Sequence, residues 1–312
     1  MKSKLTIKTS FFIILFGLGV QYSTQAQTPV QKNGALSING TQIVNQSGDT
    51  VSFAGGSLFW SNTGWGGDAF YNASIINWLQ SDWNASIVRA AMGVEDNGGY
   101  ISDASNKQKV EAVVNAAISA GIYVIIDWHS HHAENYQAQA IQFFQDMATQ
   151  FGGYDNVIYE IYNEPLQISW DNTIKPYAEA VSGAIRAIDP DNIIVVGTPT
   201  WSQDVDVASN NPITSYSNIA YTLHFYAGTH TQSLRNKATT AMNNGIALFV
   251  TEWGTVDASG TGNVATTSTN DWMDFLCDNN ISHCNWAVND KAEGASAIIP
   301  GASTSGNWSA ND

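Results

Sequence analysis

Eight strand-like apolar runs, each set off from the next by a stretch with helical or turn character, constrain this chain more than any other feature. They begin near Val51, Ser86, Ile122, Val157, Ile193, Ile219, Ile246 and Ile281, at spacings of about 26 to 36 residues. That interval is about one strand–helix–strand unit. Runs such as Ile122-Tyr123-Val124-Ile125-Ile126 and Ile193-Ile194-Val195-Val196 are apolar throughout, as strands of a parallel sheet covered on both faces must be. Between them, helical patterns cover residues 107–120 (stopped by Gly121), 136–151, 173–188 and 270–279. Eight such repeats predict an α/β protein of the closed (β/α)8 TIM-barrel type. An open doubly wound sheet would call for a phosphate-binding glycine loop after the first strand. Gly55-Gly56 and Gly64-Trp65-Gly66-Gly67 do not fit one. Ahead of the barrel, Leu36-Ser37-Ile38 and Gln42-Ile43-Val44 flank the turn Asn39-Gly40-Thr41, a short β-hairpin expected to cap the barrel bottom.

Two acidic residues stand where apolar runs end. Val157–Tyr162 leads into Asn163-Glu164-Pro165, and Ile246–Thr251 into Glu252-Trp253-Gly254. Counting strands places Glu164 at the end of the fourth and Glu252 at the end of the seventh. Both then lie at the C-terminal mouth, where active sites of this fold are built. A pair of carboxylates is what hydrolysis of a glycosidic bond requires. Glu252 is expected to be the nucleophile and Glu164 the acid/base, the former ionised and the latter with a raised pKa. Arg89 would point into the barrel and needs a carboxylate partner, for which Glu252 is the candidate. His129, His224, Tyr226, Trp60, Trp201 and Trp286 end or follow other strands at the same mouth. Asn163 could bind a sugar 2-hydroxyl, and the tryptophans offer flat faces for sugar rings. Trp128 and Trp253 alternate away from the mouth and are expected to pack outside the barrel.

Composition narrows the partners. The 312-residue chain has 12% charged residues and a formal net charge of −15, against nucleic acid or an anionic membrane as partner. Its polar surface must be mostly uncharged, which suits a neutral substrate. Lys2, Lys4 and Lys8 followed by the ten-residue apolar run 11–20 form a signal peptide, with cleavage expected near Ala26. Residues 1–26 are therefore set apart from a single catalytic domain over 27–312, secreted and monomeric. Cys277 and Cys284 could pair as one disulfide or remain free thiols. His129, His131 and His132 resemble a metal cluster by spacing alone. Without further His and Asp ligands no metal is expected, and His131 and His132 are assigned to a loop.

Several stretches carry a resemblance beyond these arguments. They are Val88–Gly93, Ile126–His129, Tyr159–Pro165, Thr200–Val205, Leu223–His230, Val250–Gly254 and Asn285–Lys291, in order along the chain. Together they resemble family 5 glycoside hydrolases, in particular the bacterial endoglucanase (cellulase) branch. The resemblance implies a retaining endo-β-1,4-glucanase without cofactor, acting on β-glucan or cello-oligosaccharides, with mannan, xyloglucan or mixed-linkage glucan as alternative substrates. It implies Glu164 as acid/base and Glu252 as nucleophile, with Arg89, His129, Asn163, His224, Tyr226 and Trp286 as the remaining active-site positions. It places Lys291, Glu293 and Trp60 on the non-reducing side and Trp201 on the leaving-group side. Tyr162 stands where relatives often have a small residue. Relatives often carry a cellulose-binding module after the barrel, so a weak grip on crystalline cellulose is expected here.

Overall fold

A computed structural model describes residue 1 and residues 26–312; the expected signal peptide lies almost wholly outside these described residues. A short helix, α1 (Pro29–Asn33), opens with a capping box between Thr28 and Gln31. The hairpin follows as β1 (Ser37–Asn39) and β2 (Gln42–Val44), with Ile38 opposite Ile43. Eight parallel strands then close a barrel: β3 (Ala54–Leu58), β4 (Ile87–Gly93), β5 (Tyr123–His129), β6 (Val157–Glu160), β7 (Ile194–Val196), β8 (Ile219–Tyr226), β9 (Leu248–Gly254) and β10 (His283–Val288). Strand β10 returns to pair with β3. The helices outside the ring are α2 (Ala73–Ser81), α3 (Asn106–Ala120), α4 (Gln137–Phe151), α5 (Lys175–Arg186), α6 (Pro199–Ser202), α7 (Val205–Ser209), α8 (Gln232–Asn243) and α9 (Thr266–Asp278). Gly121 ends α3 in the left-handed conformation that the sequence predicts for it, with φ 69°.

Alternation along each strand divides the core in two. Outward residues such as Val88, Ala90, Met92, Val124, Ile126 and Trp128 join the layer under the helices. Trp128 packs against Phe143 at 5.4 Å, and Trp253 stacks on Phe225 at 5.6 Å. Inward residues Ile87, Tyr123, Ile125, Ile158, Val195, Ala220 and Phe249 fill the lower half of the barrel. Leu36, Ile43 and Phe53 close that half from below, so the hairpin caps the bottom as expected. Tyr123 fastens the cap by donating to the Gly34 carbonyl at 2.7 Å, and Asn218 accepts from the Ile38 amide at 2.9 Å. Burying each large aliphatic side chain in these layers contributes roughly 1.5–3 kcal/mol.

One irregularity matters for the site. Thr222 on β8 pairs with Phe249 on β9, and His224 pairs with Glu252, so β9 carries one residue more than its neighbour. The same offset appears against β10, between His283–Val250 and Asn285–Trp253. This is a β-bulge, and beyond it Thr251 and Glu252 both bond to groups inside the barrel. Cys277 and Cys284 are free, the first exposed and the second buried.

Candidate active site

In the upper half of the barrel the inward positions change from hydrocarbon to charge. Arg89 on β4 is fully buried, and its guanidinium organises everything around it. Nε and Nη2 fork onto the two oxygens of Glu160 at 2.7 and 3.2 Å. Nη2 also meets Asp127 Oδ2 at 2.9 Å and Asn163 Oδ1 at 2.6 Å, while Nη1 donates to Glu252 Oε2 at 2.9 Å. Burial works against a charged guanidinium, but Asp127, Glu160 and Glu252 outweigh it and hold Arg89 protonated. Burial pushes Asp127 up to about 7, against the pull of Arg89, and pushes Glu160 up as well.

Glu252 receives a second hydrogen bond, from the Tyr226 hydroxyl to Oε1 at 2.7 Å. Burial, and then the Glu252 charge, drive the Tyr226 phenol well above its usual range, so it stays a neutral donor. His129 donates Nδ1–H to Asp127 Oδ2 at 2.6 Å. Burial and Arg89 hold that imidazole neutral, and its Nε2 is left as an acceptor. His129 stacks on Trp286 at 5.1 Å, and Phe59 lies 5.4 Å from the same indole.

Glu164 lies on the loop after β6, four residues past the last strand residue; the carboxylate that ends the fourth barrel strand is Glu160. The sequence expectation that Glu164 ends that strand is corrected here, as is Glu252 at a strand end, since β9 runs on to Gly254. His224 Nδ1 meets Glu164 Oε1 at 2.9 Å, and His131 Nε2 meets Oε2 at 3.1 Å. Burial raises the Glu164 carboxyl, but these two imidazole contacts outweigh it and hold it below the usual carboxylate range. The raised pKa expected for Glu164 is therefore not found in this structure. His131 is itself raised: burial lowers it, and Glu164 more than compensates. His131 stands on the loop after β5, as the sequence predicts, and the structure brings its side chain into the site.

Glu164, His224 and Glu252 each bring one oxygen or nitrogen within 4.8 Å of the others. Their other contacts, to Arg89, Tyr226, His131 and Thr251, are with protein groups. His129, His131 and His132 do not converge; they face Asp127, Glu164 and Glu134 respectively.

The two glutamates sit between two recesses of about 380 and 310 Å³. The larger is bounded by Trp201, Gln203, His224 and His230, the smaller by Trp60, Trp65, His131, Trp286, Lys291 and Glu293. Lys291 pairs with Glu293 at 2.6 Å and lies over the Phe59 ring at 5.2 Å. Trp65 is 42% exposed, 5.7 Å from Trp60. Trp201 is 39% exposed and stands on an unusual turn: Thr200, Trp201 and Ser202 all have positive φ, from 54° to 60°. Left-handed backbone at such residues costs roughly 1–3 kcal/mol each and needs anchoring. The amides of Thr200 and Trp201 donate to Leu166 and Pro165, and the Ser202 hydroxyl donates to the Asn163 carbonyl at 2.7 Å. The indole is thus tied to the loop that carries Glu164.

Cellulase, glycosyl hydrolase family 5, matches residues 44–292. The chain belongs to glycosyl hydrolase family 5. Endoglucanase Z of Dickeya dadantii is 65% identical over 267 residues, covering 85% of this chain and 62% of that protein. An endoglucanase of Clostridium saccharobutylicum is 48% identical over 299 residues, 93% of this chain and 65% of its own length. The chain thus spans slightly less than two thirds of these curated relatives. A solved structure from Cytophaga hutchinsonii superposes with a TM-score of 0.89 at 55% identity, over 92% of each chain. The catalytic domain of Thermobifida fusca endoglucanase Cel5A, in complex with cellotetraose, superposes with a TM-score of 0.86 at 31% identity, over 91% of this chain and 95% of that one.

Within this family 5 barrel, Glu164, Glu252, Arg89, His129, Asn163, His224, Tyr226 and Trp286 gather around one cleft. Trp60, Lys291 and Glu293 line one recess and Trp201 the other. Sequence reasoning missed Glu160, Thr251 and His131, and left Asp127 without a role. A charged residue two positions beyond Ile158, inside an apolar strand run, was the available signal for Glu160. Nothing in the sequence marks the bulge that turns Thr251 inward.

Proposed function

We propose that the chain is a secreted, monomeric endo-β-1,4-glucanase whose residues 27–312 work as one catalytic unit, cutting by retaining double displacement. The observation that carries this is the approach of a Glu164 oxygen and a Glu252 oxygen to within 4.8 Å across a cleft open on both sides. Retaining pairs stand about 5–5.5 Å apart, whereas inverting pairs need roughly 6.5–9.5 Å to admit a water.

Glu252 attacks the anomeric carbon, with Arg89 and Tyr226 holding its carboxylate. Glu164 gives its proton to the departing glycosidic oxygen, then takes one from the water that releases the sugar. A sugar filling the cleft displaces water, strengthening the burial that favours protonated Glu164 at the moment a donor is needed. As the ester forms, negative charge passes from Glu252 to Glu164, and His131 and His224 wait beside the carboxyl that receives it. Asn163 has given its oxygen to Arg89, which leaves its amide nitrogen to donate to a sugar hydroxyl. Trp286, Trp60, Lys291 and Glu293 would hold sugars on the non-reducing side, and Trp201 on the leaving-group side.

The test is reducing-end release from carboxymethyl cellulose, with and without a chelator. Wild type is expected to be active in both conditions. Glu164→Gln should lose on the order of 10²–10⁴-fold, and Glu252→Gln should fall to background. Undiminished activity in Glu252→Gln would remove the nucleophile and with it the mechanism. A panel of mannan, xyloglucan and mixed-linkage glucan ranks the substrates. N-terminal sequencing of protein from culture fluid tests cleavage near Ala26.

A further inference from the structure

We propose that Thr251 is a positioning residue that fixes the tautomer of His224, and through it where the proton of the Glu164–His224 pair resides. The inference rests on Glu164 acting as acid/base. Thr251 Oγ1 lies 2.6 Å from Glu160 Oε1 and 2.9 Å from His224 Nε2. A hydroxyl has one proton to give. Both Glu160 oxygens already accept from Arg89, so this carboxylate is an acceptor and the Thr251 proton goes to it. The hydroxyl oxygen must then accept from His224, which requires a proton on Nε2.

With Nε2–H fixed, the neutral ring presents its Nδ1 lone pair to Glu164 Oε1, 2.9 Å away. That contact holds when one proton is shared across it, on the carboxyl or on Nδ1. Were His224 flipped to the other tautomer, its Nδ1–H would always favour ionised Glu164 and would hinder proton donation to a leaving group. Thr251 thus links the acid/base to Arg89 and, through Arg89, to the nucleophile, without touching substrate itself. The bulge in β9 is what brings Thr251 to this position beside Glu252.

Two experiments test this. In wild-type protein labelled with 15N-histidine, long-range proton–nitrogen spectra should show His224 protonated at Nε2; a bare Nε2 with Nδ1–H overturns the proposal. Then kcat/KM is compared on aryl β-cellobiosides with poor and good leaving groups. Thr251→Val should lose on the order of tenfold or more with the poor leaving group and far less with dinitrophenolate, which departs without a proton. Thr251→Ser should restore both values. Equal losses on both substrates, or no rescue by serine, would make Thr251 merely structural. Should the valine variant fail to fold, the wild-type spectrum and the serine variant decide. Absence of phenol release by wild type would instead sink the functional proposal and leave the spectrum standing.

Discussion

The lower and upper halves of the barrel interior are built on the same strands, two residues apart, and they obey opposite rules. Ile87 is followed on its face by Arg89, Ile125 by Asp127 and Ile158 by Glu160. Below, aliphatic and aromatic groups pack onto the hairpin that closes the bottom and need only shape. Above, one guanidinium meets Asp127, Glu160 and Glu252, and each polar atom depends on its neighbours. Burial of ionic groups contributes little net stability, because desolvation offsets attraction. The lower half therefore carries stability and the upper half carries chemistry.

The sharpest way to break this division is at Arg89. Arg89→Met strands three carboxylates, and unfolding experiments should show a loss of about 3–5 kcal/mol together with loss of the proposed glucanase activity. A variant within about 1 kcal/mol of wild type would show that the charges are not coupled through the guanidinium. In the lower half, Ile125→Ala should cost about 2–5 kcal/mol while kcat/KM of the folded protein stays at the wild-type value. A marked fall in kcat/KM there would mean the halves are not separable.

A subtler contrast lies in pH. The folded state holds Asp127 at about 7, above its unfolded value, so this site favours folding most at low pH and loses that advantage as pH rises towards 7. His283, outside the barrel against Trp253, is lowered by burial to about 4. Its contribution is present above pH 6.5 and is lost as pH falls through 4. Asp127→Asn should flatten the decline in stability between pH 4 and 7, and His283→Gln the loss on acidification; urea midpoints against pH distinguish them. His131→Asn removes one of the two contacts that hold Glu164 low, so the limb of the kcat/KM profile reporting that carboxyl should move to higher pH. The smallest effect is at the cysteines. A thiol reagent should label Cys277 in the native protein and Cys284 only on unfolding, since burial both hides the latter and raises its thiol pKa.

These contrasts explain what was legible beforehand. The barrel announced itself because buried parallel strands must be apolar along their whole length, and Glu252 because an acid breaks such a run. Glu164 was found for its chemistry but misplaced, since sequence does not show that strand pairing stops at Glu160. His131 was invisible because a loop has no fixed period from which to infer the direction of a side chain. Arg89 was matched to Glu252 because a buried cation demands a partner, but one guanidinium can serve several acids, and the pattern could not count them.

The supernumerary residue in β9 makes the address of the proposed nucleophile a matter of parity. No point substitution need shift Glu252 to the other side of the wall, but a strand that kept every residue and lost the bulge would send it out among Phe225 and Trp272, whereas deleting Val250 would remove the extra residue and leave the acid inside. A designer who straightened this strand without shortening it would evict the acid, and shuffling segments between barrels at β9 is safe only if both parents share the same residue count there.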